Sequence, residues 1–299
     1  MPELPEVETI VRELRPRLLG RGIVAIRVSK KNLRRPWKER WTSWLRGRKI
    51  EEVSRRGKWI LLRLGDGLYL VFHLGMTGQL TVVRAQEASA PHTHVVVDLD
   101  GEAMQLRFRD IRRFGSATVF ASETRVIRFF HDSGLGPEPF DLEPRYWRGR
   151  LERTRRCLKA VLLDQRVLAG VGNIYADEAL FEARLHPRRL GCALRSPEAR
   201  RLRLAIVTVL NRAIDKRGSS IRDYVDGSGR EGEYQNEFRV YGQAGKPCRR
   251  CRRSIRRIRL AGRSTYFCPS CQQNRDQKSG VTSQKSGVRG QKSVMIPDS

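Results

Sequence analysis

The apolar positions of this chain change their period along its length. Near the start, Val7, Ile10, Val11, Leu14 and Leu18 recur at three- and four-residue spacing, the stripe of an amphipathic helix. Pro5 suits a first-turn position, and Glu6 and Glu8 suit the positive end of the helix dipole. From residue 58 the pattern turns to short apolar runs cut by turn residues. Lys58 to Leu64 and Leu68 to Leu74 flank Gly65-Asp66-Gly67 as paired strands, and Gly75-Met76-Thr77-Gly78 makes the next turn. Val95 to Leu99, Met104 to Phe108 and Ala117 to Phe120 read as further strands. Residues 1–135 are expected to form a β-rich domain with a leading helix.

A Gly/Pro cluster, Gly134-Leu135-Gly136-Pro137-Glu138-Pro139, then marks a domain boundary, with residues 136–142 as linker. Beyond it the helical period returns. Leu151 to Leu168 and Ile174 to Ala183 flank a tight Gly170-Val171-Gly172-Asn173 turn. Pro197 to Arg217 carries an apolar face of Leu202, Ile206, Val209, Leu210 and Ala213. A helical domain is expected over 143–237, with a mobile Gly-rich, polar loop at 218–236. Residues 238–272 form a small cysteine module. From 273 to 299 the sequence is polar, and Gln-Lys-Ser recurs at 277, 284 and 291 without an apolar seam, which predicts a disordered basic tail rather than a coiled coil.

Charge narrows the function. The chain carries 60 Lys and Arg against 32 Asp and Glu, a formal net charge of +28. An excess of that size, once clustered, points to a polyanion, most often nucleic acid. No apolar run is long enough to span a membrane, and the N-terminus lacks the apolar core of a secretory signal, so a cytoplasmic protein is expected. In that compartment six cysteines imply metal or free thiols rather than disulfides.

The cysteine spacing is specific. Cys248 and Cys251 form one C-x-x-C pair, Cys268 and Cys271 another, with sixteen residues between the pairs. Four thiolates complete a tetrahedral zinc shell and leave no open position, so one structural zinc is expected. Cys157 and Cys192 read as ordinary thiols. From Lys246 to Cys271 there are nine Lys or Arg and no acid, a phosphate-binding face, with Arg263 near the tip of the intervening hairpin. The Gly170–Asn173 turn before a helix presents backbone amides at a positive dipole end, a second phosphate site if it is more than a connection between helices. Asp110-Ile111-Arg112-Arg113-Phe114-Gly115 sets cations beside an aromatic, a loop able to wedge into a base stack, and Met76 is a third wedge. At the N-terminus, trimming of Met1 would leave Pro2 with a free secondary amine. Such an amine is a nucleophile, and with an aldehyde-level carbon it forms only a cationic iminium. Glu3 stands beside it to handle protons.

Together these segments resemble the formamidopyrimidine-DNA glycosylase family, over roughly residues 1–272. The resemblance rests on MPELPEVET at 1–9, RRGKWILL at 55–62, HLGMTG at 73–78, HTHV at 92–95, RRFG at 112–115, LLDQRVLAGVGNIYADEALF at 162–181, and the CRRC and GRSTYFCPSC pieces ending at 271. It implies an α+β multidomain fold: a β-sandwich-like N-terminal domain with its leading helix, a helix-two-turn-helix domain, and a four-cysteine zinc finger. It implies a bacterial, DNA-associated base excision repair enzyme, acting as a monomer on double-stranded DNA that carries oxidised bases or abasic sites. Pro2 would attack the sugar C1′. Glu3 would help open the deoxyribose ring, with Glu6 in support. Lys58 would contact phosphate and assist β-elimination, and Arg263 would bind phosphate and assist δ-elimination. His92, Arg112 and Asn173 would hold the backbone. Met76, Arg112 and Phe114 would fill the gap left by the flipped nucleotide, and the 218–236 loop would close over the lesion. Leu4 after Pro2-Glu3, with the Met76/Arg112/Phe114 set, favours oxidised purines over the oxidised pyrimidines of the related endonuclease VIII type. A non-catalytic zinc-bearing DNA-binding protein would explain the charge and the cysteines, but not Pro2, Glu3 and Lys58 together.

Overall fold

A computed structural model describes residues 2–31, 33–101, 103–220 and 232–274. The expected tail from residue 275 on, and residues 221–231 of the expected loop, lie outside the described residues. The leading helix α1 (Leu4–Leu18) buries the stripe read from the sequence, Val7, Ile10, Val11, Leu14 and Leu18. Its first turn is closed by the Glu6 carboxylate, which accepts the Glu3 backbone N–H at 2.8 Å.

After α1 the chain runs through β1 (Ile23–Val28), α2 (Arg40–Leu45), β2 (Ile50–Arg56), β3 (Trp59–Leu64), β4 (Tyr69–His73), β5 (Gly78–Arg84), β6 (Thr93–Leu99), β7 (Met104–Asp110), β8 (Ser116–Phe120) and α3 (Glu123–Asp132). Eight of these segments make two four-stranded antiparallel sheets, ordered β1-β6-β7-β5 and β2-β3-β4-β8. Strand periodicity explains how the second sheet is covered on both faces. Ile60, Leu62, Leu70 and Phe72 face the first sheet and α1, while the alternating Leu61, Tyr69 and Val71 pack under Val126 and Phe130 of α3. Phe72 meets Phe108 across the two sheets, ring centroids 5.5 Å apart. The sandwich expected from the sequence is therefore present.

The second core is helical: α4 (Pro144–Glu152), α5 (Leu158–Leu163), α6 (Asn173–Glu182) and α7 (Ser196–Asp215). The single helix expected over 151–168 is instead the end of α4 and the short α5, with a break at 153–157 and non-helical chain from 164 on. There the Thr154 hydroxyl accepts the Arg156 N–H, and the Arg156 carbonyl accepts the Gly191 N–H, so the backbone pairs sideways with 187–192 rather than along a helix axis. Leu4 belongs to this helical core although it opens α1, and its N–H donates to the Gly170 carbonyl at 3.0 Å. The N-terminus thus sits at the seam between the two cores.

The cysteine module folds as a hairpin, β9 (Arg256–Leu260) and β10 (Arg263–Phe267), in register from Arg263↔Leu260 to Phe267↔Arg256. Its two-residue turn holds Ala261 at φ 48° and Gly262 at φ 71°, the left-handed pair that a tight hairpin requires. Buried carboxylates on α6 bind the module to the helical core. Glu178 accepts the backbone N–H groups of Arg239, Val240 and Tyr241, and Asp177 accepts that of Tyr266 while pairing with Lys159 at 2.7 Å.

Candidate active site

A cavity of about 780 Å³ opens at the seam between the cores. Around it the structure gathers most of the residues singled out in the sequence: Pro2, Glu3, Glu6, Lys58, Arg263 and Asn173, with Met76 and Arg112 on its wall. These come from α1, the β2–β3 turn, the β10 hairpin, the start of α6 and two loops of the first sheet, so no local segment carries the site.

The Glu3 carboxylate is the organising group. It accepts the backbone N–H of Gly172 at 2.7 Å and that of Ile174 at 2.9 Å, with the Tyr175 N–H at 3.4 Å. An acidic side chain therefore caps the positive end of α6. The sequence reading offered these amides to a DNA phosphate. In the structure Glu3 takes them, because α1 delivers an anion from the other end of the chain. Gly172 has to be glycine here, since a Cβ would lie 2.4 Å from the Glu3 side chain. Asn173 turns its amide to the Ser264 carbonyl at 3.1 Å and so ties the zinc hairpin to the same helix start.

Glu6 lies just beneath. It accepts from the Tyr175 hydroxyl and from the backbone and hydroxyl of Ser219, at 2.8 and 3.0 Å. Burial, then the charge of Glu3, push its pKa up, against those hydrogen bonds and the one from the Glu3 amide. Lys58 is buried at the β2–β3 turn. Burial pulls its ammonium below the ordinary lysine range, Glu3 and Glu6 pull it back, and Arg263 adds to the depression. The neighbouring turn is held from the linker, where Glu138 accepts from Arg55, Arg56 and the Gly57 N–H.

The three wedge candidates stand together. Arg112 lies over the Phe114 ring at 4.6 Å and points Nη1 at the Met76 sulfur at 3.3 Å. Met76 and Phe114 are both exposed. Their loops are fastened by fully buried Asp110, which accepts from the Thr77 hydroxyl and from the Arg112 and Gly115 amides. Gly75 lets the loops touch, because a Cβ there would meet the Gly115 nitrogen at 2.6 Å. Phe114 and His92 are outside the lining of the cavity. His92 is exposed, at φ 68°, on the loop leading into β6.

The structure adds residues that the sequence reading had not assigned. Tyr241 lines the cavity, carried there by the Glu178 carboxylate under its backbone. His73, paired with Trp59 across β3–β4, accepts the Gly75 N–H at 3.1 Å. Burial, followed by Lys58, Arg34 and Arg35, holds its pKa at about 4. Nothing in the local sequence around Tyr241 marks it. His73 was visible only as a letter of the HLGMTG segment. Ser219 braces Glu6, and a 3-10 turn forms at Tyr234–Glu237.

In the cysteine module the four sulfurs lie within 4.8 Å of one another, with Cys251–Cys268 at 3.4 Å and Cys248–Cys271 at 3.9 Å. A tetrahedron with zinc–sulfur bonds of ~2.3 Å has edges of ~3.8 Å, so the four donors fit one zinc. The site's ligands are all cysteine and leave no position for substrate.

The fold and cavity define a zinc-bearing protein whose Pro2 and Glu3 line a cavity at the seam of a β-sandwich and a helical domain. Three family models cover most of it: the formamidopyrimidine-DNA glycosylase N-terminal domain over residues 1–117, the H2TH domain of the same glycosylase over 135–225, and the zinc finger found in FPG and IleRS over 245–274. The formamidopyrimidine-DNA glycosylase of Desulforamulus reducens is 46% identical over 277 residues, covering 91% of this chain and 99% of that protein. That of Heliobacterium modesticaldum is 48% identical over 280 residues, covering 91% and 100%. Among solved structures, Lactococcus lactis Fpg bound to abasic-site DNA, and the same enzyme bound to N7-benzyl-Fapy-dG DNA, each superpose with a TM-score of 0.85 at 36% identity, covering 91% of this chain and 100% of theirs. The chain belongs to the formamidopyrimidine-DNA glycosylase family.

Proposed function

We infer that this chain is a bifunctional DNA glycosylase and abasic-site lyase of base excision repair that removes oxidised purines, 8-oxoguanine and formamidopyrimidines. The observation that carries the reading is one cavity lined by Pro2, Glu3, Lys58 and Arg263 together. Removal of Met1 frees the Pro2 nitrogen, whose lone pair attacks C1′ of a flipped nucleotide. The C1′–base bond breaks, the base leaves, and ring opening gives an iminium. The Glu3 carboxylate, held by the α6 amides, takes the Pro2 proton and returns it to the ring oxygen. It also places a negative charge where the cation develops.

The iminium acidifies the C2′ proton. Its removal and departure of the 3′ phosphate complete β-elimination; a second elimination expels the 5′ phosphate. Lys58, its ammonium pulled below the ordinary lysine range by burial, serves the first elimination and the phosphate beside it. Arg263, at the hairpin tip, serves the second. Glu6 positions the Glu3 backbone through the 2.8 Å bond to its N–H. Asn173 and His92 hold the backbone on either side of the lesion. Met76, Arg112 and Phe114 fill the vacated stack, and Arg112 donates hydrogen bonds to the orphaned base. The zinc finger supplies the rigid base of the hairpin. Among the described residues no helix is long and apolar enough to cross a membrane, and four cysteines kept as thiolates suit a reducing bacterial cytoplasm.

Borohydride on an abasic-site duplex tests this reading. The expected result is a reduced protein–DNA adduct that mass spectrometry assigns to residue 2. An adduct on a lysine, or tight binding with no adduct, would refute it. Faster excision of thymine glycol than of 8-oxoguanine would move the chain to the pyrimidine branch.

A further inference from the structure

Away from the catalytic cavity, α4 and α7 leave a cleft of about 630 Å³ between them, and the two sites share no lining residue. Its floor is carbon: Pro144, Trp147, Ala199 and Leu204. The Trp147 indole N–H is already given to the Ala199 carbonyl, so the ring offers the cleft no polar atom. Leu204 projects from α7 on the side away from that helix's buried stripe and is 46% exposed.

The rim is cationic on both walls. Arg145 and Arg148 stand on α4 and Arg200 and Arg203 on α7, each pair at the three-residue spacing that shares a helix face. Among the described residues no carboxylate lines the cleft. Arg148 reaches Glu152 only at 3.8 Å, Arg203 donates to the Leu142 carbonyl, and Arg145 and Arg200 have no ion pair or hydrogen bond among the described residues.

We propose that this cleft docks a short acidic peptide segment, carrying at least one bulky apolar side chain, from another protein. The apolar floor and the arginine rim select together. A phosphate backbone would use the rim and gain nothing from the floor. A second copy of this chain, at +28, would meet the rim with like charge. An acidic segment satisfies the arginines, a residue type common at binding hot spots, while its apolar residue covers Leu204 and Pro144. The site is independent of the lesion cavity, so docking leaves DNA binding open.

The test uses the full chain saturated with a duplex that carries a stable abasic analogue. A fluorescein-labelled peptide of aspartates interrupted by a pair of phenylalanines is titrated in and followed by anisotropy. The peptide is expected to bind with DNA in place. Leu204→Glu, and Arg145→Ser combined with Arg200→Ser, should each weaken it by roughly tenfold or more, the usual effect of losing a hot-spot contact, with lesion cleavage unchanged. All of these residues are exposed, so the variants keep the core intact. Displacement of the peptide by DNA would overturn the proposal. So would equal binding of a control peptide with serine in place of phenylalanine, or unchanged binding by both variants. A self-association that Leu204→Glu abolishes would assign the cleft to a second copy instead, and an oligonucleotide that competes for it would assign it to nucleic acid.

Discussion

Replacing Glu3 with glutamine separates what this residue does for the fold from what it does for the reaction. The carboxylate accepts the Gly172 and Ile174 N–H groups on different oxygens, at 2.7 and 2.9 Å, with Tyr175 as a weaker third. A glutamine keeps one carbonyl oxygen, and its amide nitrogen then faces a backbone donor. One charge-assisted hydrogen bond is lost, worth ~1.5–3 kcal/mol. The interaction of a full charge with the start of α6 goes as well, ~0.3–1 kcal/mol in exposed cases and up to ~2 when sheltered. Glu3→Gln should therefore cost roughly 2–5 kcal/mol, a large share of a typical folding free energy of ~5–15 kcal/mol. Urea unfolding followed by circular dichroism at neutral pH measures it, and the helical core should loosen first because Glu3 caps one of its helices. Borohydride trapping on abasic DNA should fall as well. An unchanged urea midpoint would show that the amide cradle contributes nothing and would refute the reasoning.

Three further outcomes follow from the same geometry. His73 is held near 4 against an ordinary 6.5, so the unfolded chain binds the extra proton as pH falls through that window and the native state loses stability. Unfolding free energy should drop by about 1.5 kcal/mol between pH ~6.5 and ~5, and His73→Gln should flatten that slope in a pH series of denaturation curves. Cys268→Ser should release the zinc, measured at one per chain in the unaltered protein by metal analysis, and abolish DNA binding while the sandwich stays folded; active protein without zinc would contradict this. Arg112→Ala should narrow the preference for 8-oxoguanine opposite cytosine over adenine, by the ~1.5–3 kcal/mol of a charge-assisted hydrogen bond, in single-turnover assays of both duplexes.

What the sequence revealed depended on range. The α1 stripe and the strand runs were readable because their signals lie within one element. Helix α3 had its signals too, with Ser122 capping Arg125 N–H and Glu123 in the first turn, but only Val126 and Phe130 of it are buried, too few to stand out among its charges. The break between α4 and α5 was hidden because the pairing that causes it comes from residues 187–192. The cysteine module was readable from spacing alone, and Arg263 was readable as one cation of a basic face, whereas Lys58 looks like an ordinary turn residue without the family resemblance. The occupant of the α6 amides could not be read locally, since Glu3 arrives from 169 residues away. Tyr241 is invisible for the same reason, its place being set by Glu178.

The start of the chain has no slack. Glu3 is held at its backbone by Glu6 and at its side chain by α6, and Leu4 is anchored by the Gly170 carbonyl, so Pro2 is fixed against the cavity it lines. Anything joined ahead of Pro2 must share the cavity, and it keeps the Pro2 nitrogen an amide, which the proposed attack on C1′ could not use. On the proposed role of Pro2, competence would require the removal of Met1 as well as folding. The same geometry tells the protein engineer which end to leave alone. On that reading a purification handle belongs at the C-terminus, and a preparation's active fraction would report how completely Met1 was removed.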